Sequence, residues 1–395
     1  MPAQHFFAES PEAVGIESAR LEALFERAER EVREGLLPSA QIAIARHGKL
    51  AGMRSVGRVT CEGRPVEASD DTLYVVFSCT KAVISAAAWL LIQEGKLDPD
   101  ELVADAIPEF AAHEKRGIRV EQLFTHTCGF PRAPYLQRDW HDRAKRLERF
   151  GSWRLNWEPG TRFEYHPTSS MWVVAELIER RSGIPYREFV RKRIAEPLGL
   201  DDLWVGLPRE HHGRLADIVH VSRELTPEEF AELGFPVPPE TEVTEEMVQG
   251  FNQTSVREAG VPGGGGAMTA ADLALFYQSL LSGRAHDGTE IWRRETLESA
   301  REVRTGDLRD PVFGQAANRG LGVTIAGGEG RNVRGFGHTG SELSFGHGGA
   351  GGQIGWADPV SGISLGYCTN GFDRNVIRQA RRGVGISSRA GALLE

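Results

Sequence analysis

The chain has 395 residues, of which 40% are hydrophobic and 26% charged, and its formal net charge at pH 7 is -9. This length suits one large two-lobed domain or two ordinary domains. The acidic balance argues against nucleic acid or an anionic membrane surface as the main partner. No stretch reaches the roughly 18 apolar residues of a membrane-spanning helix. The N-terminus lacks the basic and apolar regions of a signal peptide, so none is expected.

The cysteines and histidines show no pattern of a metal site. The four cysteines have neither metal-ligand nor redox spacing: Cys61, Cys79, Cys128 and Cys368. Three histidines likewise lack ligand spacing: His113, His211 and His212. We therefore expect free thiols, a cytoplasmic location, and neither a metal ion nor a cofactor.

Both ends of the chain predict strands beside a helix. Apolar residues from Leu21 to Val32 recur at helical spacing, with Ser18 as the expected cap and Gly35 just past the end. Residues 40–59 alternate in polarity and predict two strands that turn at His47 and Gly48. Residues 321–326, 351–359 and 362–370 predict three more strands, followed by a helix from about Asp373.

These elements predict an α+β fold in which both termini build one antiparallel sheet flanked by helices. The middle of the chain reads as mostly helical with long loops. We therefore expect one domain over residues 1–395 with two lobes. The sheet lobe would comprise about residues 1–77 and 282–395, and the helical lobe about residues 78–281.

The segment "VVFSCTKAVISAAAWLLIQEG", residues 75–95, places a lysine in a helix that is apolar nearly all round. A buried ammonium without a partner costs several kcal/mol, so Lys81 needs a reason to be there. Ser78 lies one turn earlier and completes an S-x-x-K motif on one helix face. Burial and the positive helix end both lower the pKa of a lysine, and a neutral amine can accept the proton of a serine nucleophile. On the motif alone, a capping serine followed by a lysine that extends to solvent stays open.

Two further segments bear on this choice. Tyr165 follows a Pro-Gly turn and precedes an apolar helix, where it can equally be a packing residue. His347, Gly348 and Gly349 lie at the edge of a predicted strand, and the glycines let a substrate approach the backbone.

Taken in order, Ser78-Cys79-Thr80-Lys81, Tyr165 and His347-Gly348-Gly349 before a "GWADP" hairpin resemble the motifs of one superfamily. It is the class C β-lactamase and penicillin-binding superfamily, and the resemblance is greatest to its family VIII carboxylesterases. "LFTHTCGFP" and "GGGGAMTAADLALF" match as well, so the resemblance runs from about residue 14 to residue 371. It implies a β-lactamase/transpeptidase-like fold and a serine hydrolase that acts through an acyl-enzyme.

The resemblance also implies roles for individual residues. Ser78 would be the acylated nucleophile and Lys81 its general base or proton relay, while Tyr165 would carry the proton to the leaving group. Which of Lys81 and Tyr165 is the acylation base stays open. The backbone N–H groups of Ser78 and Ala350 would form the oxyanion hole.

Other residues are expected to line the cleft. His347, Gly348 and Gly349 would contact the substrate, and His347 would hydrogen-bond the substrate or Tyr165. Trp153 and Trp157 would wall the cleft, or else anchor the loop ahead of Tyr165.

The sequence departs from the β-lactamase and peptidase members at two positions. They carry Tyr-x-Asn and Lys-Thr-Gly, whereas this chain has Pro167 in the place of the asparagine and His347 in the place of the lysine. A histidine is mostly neutral at pH 7 and binds a carboxylate poorly. The changes favour a carboxylesterase that acts on small neutral esters, with at most weak β-lactamase activity. An amide or peptide hydrolase, an acyltransferase and a catalytically silent binding protein remain alternatives; the oligomeric state stays open.

Two decoy motifs compete for these roles. A second "HTG" occurs at His338–Gly340, but no matching hairpin follows it, so His347 is preferred. "GISLG" around Ser364 fits the nucleophile elbow of α/β-hydrolases. That elbow must turn from strand into helix, whereas this segment continues as a strand, so Ser364 is not the expected nucleophile.

Overall fold

The computed structural model describes residues 2–134, 139–237 and 243–394. Its strands, in chain order, are β1 Ser39–Arg46, β2 Lys49–Cys61, β3 Arg64–Glu67, β4 Tyr74–Val75, β5 Leu203–Val205, β6 Val219–Val221, β7 Gly266–Met268, β8 Thr324–Ile325, β9 Phe345–Gly349, β10 Gln353–Ala357, β11 Ile363–Cys368 and β12 Gly371–Asp373.

The α-helices in the described residues are α1 Ser18–Arg33, α2 Thr80–Gln93, α3 Val103–Ala106, α4 Val120–Phe124, α5 Arg143–Ser152, α6 Ser169–Ser182, α7 Tyr186–Val190, α8 Glu196–Leu198, α9 Pro227–Glu232, α10 Glu245–Gly250, α11 Thr254–Ala259, α12 Ala270–Ser282, α13 Arg294–Ala300 and α14 Val376–Gly391. A 3₁₀ turn, Phe77–Cys79, leads into α2, and a π-helical turn, Arg191–Ala195, joins α7 to α8. None of the described helices is long and apolar enough to cross a membrane.

The main sheet joins the two ends of the chain, as the sequence predicts. Its seven strands lie in the order β3-β2-β1-β11-β10-β9-β8, and every neighbouring pair is antiparallel. The contact between β1 and β11 closes the sheet across more than 300 residues of sequence, with Gln41 opposite Cys368. The predicted fold class is therefore confirmed.

Helices cover both faces of this sheet because side chains alternate along each strand. On β1, Ile42 and Ile44 pack with α1 and α14 in one hydrophobic cluster, whereas Ala43 and Ala45 face the other core. The small residues let α12 approach closely. At Gly355, for example, a Cβ would lie 2.7 Å from the ring of Tyr277 on α12. All but the last residue of this helix falls within residues 78–281, the segment assigned to the helical lobe, yet the helix packs on the main sheet.

The first predicted helix and hairpin are confirmed at α1, β1 and β2, with His47 and Gly48 both at positive φ in the turn. The final helix begins later than expected. Residues Gly371–Asp373 form β12, which pairs in parallel with β6, and the Asn375 side chain then caps α14 by accepting the Arg378 N–H. The sequence prediction missed β12 because three residues carry too little periodicity to be read.

Candidate active site

The turn before α2 presents Ser78. The predicted apolar helix is confirmed, since every residue from Thr80 to Leu91 is buried, but the α-helix begins at Thr80 and Ser78 lies in the preceding 3₁₀ turn. Phe77 has a φ of +43°, which is strained for a side chain of this size and is typical of functional sites. The Phe77 ring packs edge-on against Phe251 and Phe372. This packing holds the strained turn that carries Ser78.

Lys81 is buried directly beneath the serine. Its side chain is 1% exposed, and Nζ lies 3.2 Å from Ser78 Oγ. Nζ also donates to the carbonyl oxygens of Pro167 and Gly263, each at 2.7 Å. No carboxylate pairs with Lys81 among the described residues, so burial, followed by the Arg319 guanidinium, brings the pKa of Lys81 well below its ordinary value. These surroundings therefore favour the neutral amine over the ammonium form.

Tyr165 approaches the same pair from the loop before α6. Lys81 Nζ lies 4.9 Å from the centroid of the Tyr165 ring. The Tyr165 hydroxyl is buried and has no hydrogen bond of standard geometry within the described residues. Burial raises its pKa to about 12, while the nearby Ser78 hydroxyl and the Arg319 guanidinium act in the opposite direction. The phenol is therefore free to exchange a proton with Ser78 or with a substrate.

His347 on β9 lies opposite Tyr165, with ring centroids 5.9 Å apart. Its Nδ1 is 2.6 Å from the Gly348 carbonyl, which assigns the proton to Nδ1. Nε2 is therefore an acceptor, and it is buried without a partner among the described residues. Burial and then Arg319 lower the pKa of His347 well below its usual value, so the ring is neutral. The expected hydrogen bond to Tyr165 is not formed in this structure; one to a substrate stays a prediction.

The end of β9 lies against the backbone that leads to Ser78. Cys79 Sγ donates to the His347 carbonyl at 3.0 Å. A Cβ at Gly349 would come closer than 3.0 Å to the Val76 carbonyl oxygen, so only glycine fits there. Ala350 follows in the turn to β10. The contact brings the end of β9, which leads directly to Ala350, alongside the turn that carries Ser78, as an oxyanion hole built from both N–H groups requires.

Two buried histidines that the sequence analysis left without a role support Tyr165. His126 has a φ of +58°, and its ring lies 4.6 Å from the Tyr165 ring. Its Nδ1 accepts the His166 N–H at 3.2 Å, which fixes the backbone beside Tyr165. His166 Nε2 accepts the Phe130 N–H, and burial lowers the pKa of His166 to about 3. The matching segment "LFTHTCGFP" contains His126, Cys128 and Phe130, but its spacing does not indicate these contacts.

Arg319 is the site residue that sequence reasoning missed entirely. Its Cζ lies 5.5 Å from the centroid of the Tyr165 ring, on a loop between α13 and β8. No motif surrounds Arg319 in the sequence, and only the tertiary structure brings it to Ser78, Lys81 and Tyr165.

The remaining predicted residues lie as follows. The Trp153 indole is 1% exposed, and its Nε1 donates to the Pro134 carbonyl at 2.9 Å, an arrangement that fits loop anchoring. Trp157 is partly buried and lines a cavity of about 600 Å³ with residues such as Glu114 and Gln122. Substrate contact by either tryptophan stays a prediction. Ser364 is fully buried in β11, where its Oγ donates to the Ala274 carbonyl.

Comparisons with known proteins identify the family of this chain. A family model described as Beta-lactamase matches residues 25–387. An Escherichia coli K12 protein named "Putative D-alanyl-D-alanine carboxypeptidase" is 25% identical over 399 residues, covering 91% of this chain and 84% of that protein. Esterase EstB of Burkholderia gladioli is 31% identical over 206 residues, covering 47% of this chain and 50% of that protein. The crystal structure of a family VIII carboxylesterase superposes with a TM-score of 0.77 at 26% identity, covering 95% of this chain and 99% of that one. Because the family model spans most of its length, the chain belongs to the beta-lactamase family and is a serine hydrolase of that family.

Proposed function

We propose that this protein is a carboxylesterase that hydrolyses small neutral esters through an acyl-enzyme on Ser78. The observation that carries the proposal is the contact of Lys81 Nζ with Ser78 Oγ at 3.2 Å. A neutral amine has two N–H groups and one lone pair. The carbonyls of Pro167 and Gly263 take the two N–H groups, so the lone pair is left for the serine proton.

The reaction follows from this arrangement. Ser78 Oγ attacks the ester carbonyl carbon while its proton passes to the Lys81 and Tyr165 pair. The N–H groups of Ser78 and Ala350 stabilise the negative oxygen of the tetrahedral intermediate. The C–O bond to the alcohol then breaks, and the pair returns the proton to the departing oxygen. Water attacks the acyl-enzyme by the same route, and the acid leaves.

The preference for a neutral ester rests on His347 and Pro167. His347 is neutral and has one acceptor nitrogen free, so it does not supply the cation with which a third-motif lysine would bind a carboxylate. Pro167 has no side-chain donor for an acylamide group, and its carbonyl is already bonded to Lys81. The names of Esterase EstB and of the family VIII carboxylesterase structure support the same substrate class.

The test is hydrolysis of p-nitrophenyl butyrate by the wild type, Ser78→Ala and Ser364→Ala. Ser364 provides the matched control, because it is a buried serine in the competing G-x-S-x-G motif. We expect the wild type to hydrolyse the ester and Ser364→Ala to retain this activity. Ser78→Ala should be at least about 10³-fold less active. Intact-mass measurement should also show a butyryl group on Ser78. Activity that survives in Ser78→Ala would contradict the proposal.

An amide or peptide hydrolase is the second candidate, favoured by the carboxypeptidase name of the Escherichia coli relative. A D-alanyl-D-alanine peptide separates the two, because its free carboxylate requires a cation that His347 does not provide. Release of D-alanine by the wild type at a rate above ester hydrolysis would place the peptide hydrolase first.

A further inference from the structure

Arg319 is a cation at the candidate active site, and no carboxylate among the described residues forms an ion pair with it. Its Cζ lies 5.5 Å from the ring centroids of both Phe163 and Tyr165. Nη1 donates to Thr324 Oγ1, whereas Nε is buried without a partner among the described residues. No carboxylate of those residues lies within 4 Å of the guanidinium, and Asp310 acts on it only at longer range. The Arg319 side chain as a whole is only partly buried, but its Nε is fully buried, and a polar atom buried without a partner is costly, so its retention beside Tyr165 calls for a function.

The helix that carries the S-x-x-K lysine also anchors the segment with Arg319. Ser85 and Trp89 continue the helix face of Lys81 at the next two turns. The Trp89 Nε1 donates to the Leu321 carbonyl at 3.0 Å. Gly322, with a φ of +82°, lies so close to Ser85 that a Cβ would overlap the Ser85 hydroxyl. The position of Arg319 relative to Ser78 and Lys81 is therefore fixed by α2 itself.

Burial disfavours the charged form of the other titratable groups around Tyr165. The groups that face Tyr165 come from the elements packed against its ring and from its own loop. They are Ser78, Cys79, Lys81, His126, His166 and His347. Burial brings the pKa of Lys81 and of each histidine below its ordinary value and raises the pKa of the Cys79 thiol. The guanidinium itself also faces Arg334 and Asp310. Within the described residues, Arg319 is thus the fixed positive charge in contact with Tyr165.

We propose, resting on the acyl-enzyme function above, that Arg319 is an electrostatic positioning residue that keeps Tyr165 and Lys81 able to accept the Ser78 proton. A nearby positive charge favours phenolate over phenol and amine over ammonium. Arg319 therefore favours the proton-accepting form whichever of the two takes the proton. It acts through Tyr165 and Lys81.

The test is the pH dependence of Ser78 labelling by a fluorophosphonate probe, read as a second-order rate by intact mass, beside kcat/KM for p-nitrophenyl butyrate. We expect Arg319→Gln to move the acid limb of both profiles upward by about one pH unit, because removing a close charge typically shifts a pKa by about 1–3 units. At a pH on the acid limb, this shift makes the reaction of the variant about tenfold slower than that of the wild type. The plateau rate at higher pH should stay within about threefold of the wild-type rate. Arg319→Lys, which keeps the charge, should restore the limb.

Arg309→Gln is the matched control, because Arg309 is an exposed arginine of the same loop whose guanidinium donates to the Gly314 carbonyl. Its limb should coincide with that of the wild type. If the amide disturbs folding, Arg319→Met removes the charge while keeping an apolar chain of similar length.

A folded variant that lacks the charge at residue 319 and keeps the wild-type limb overturns the inference, even if its rate falls uniformly, because packing alone would then explain the residue. A wild type that the probe does not label at Ser78 overturns the proposed function as well. If the probe labels Ser78 but the acid limb of the variant's pH profile does not move, only the role of Arg319 is overturned.

Discussion

Replacing Gly349 with alanine tests the proposed oxyanion hole. The new Cβ would come closer than 3.0 Å to the Val76 carbonyl oxygen and would lie 2.8 Å from Gln353 Cβ. The Val76 oxygen belongs to the backbone and Gln353 Cβ is bonded directly to the backbone, so neither atom can move aside by a side-chain rotation. The end of β9 must therefore move away from the turn that carries Ser78. That movement displaces the Ala350 N–H. Loss of one oxyanion donor typically lowers kcat by about 10²–10³, or about 2.7–4 kcal/mol, and overpacking destabilises by about 1–3 kcal/mol.

Gly348→Ala is the matched comparison, because the nearest atom to its Cβ is the Gln353 carbonyl oxygen at 3.8 Å, an ordinary contact. The assay is kcat and KM for p-nitrophenyl butyrate in both variants, with urea unfolding to measure stability. We expect the loss of kcat in Gly349→Ala to exceed that in Gly348→Ala by at least about tenfold. If the two variants lose activity equally, the assignment of the Ala350 N–H as an oxyanion donor is refuted.

Three further substitutions probe the interior of the site. Lys81→Met should reduce kcat/KM by at least about 10³-fold, since it removes the base; activity within tenfold of the wild type would contradict its role. Tyr165→Phe should remove most turnover without lowering the melting temperature, because the hydroxyl forms no standard hydrogen bond that contributes to stability; a large drop in melting temperature would indicate a structural role instead. His166, with its pKa lowered to about 3, binds a proton only in the unfolded state between about pH 6.5 and pH 3, so stability falls as the pH falls. From pH 7 to pH 5 it should cost about 2 kcal/mol of unfolding free energy. Urea unfolding at pH 7 and pH 5 should show a smaller loss of stability in His166→Gln than in the wild type. An equal loss in both proteins would show that other groups cause the pH dependence.

The sequence predicted those parts of the fold that are encoded locally. The period of Leu21 to Val32 identified α1, and the run after Lys81 identified a buried helix because almost nothing polar interrupts it. Short elements and exact element boundaries were not predicted. The strand β12 and the exact starts of α2 and α14 depend on single side chains and on pairing with β6, which local periodicity does not encode.

The same division holds for the site. Ser78 and Lys81 are one turn apart, so their contact follows from helix geometry and can be predicted from the sequence alone. The order of the three motifs and the replacement of lysine by His347 are equally properties of the sequence. They were sufficient to predict the family.

Only the tertiary structure determined what surrounds this pair. Arg319 and His126 lie far from Ser78 in sequence, and the sequence assigns neither of them a role, yet both face Tyr165. The protonation states depend on burial and on distances between charges, and these exist only once the chain has folded. The sequence thus specified a nucleophile and a base, and the folded chain brought them the charge that we propose keeps the base ready to accept a proton.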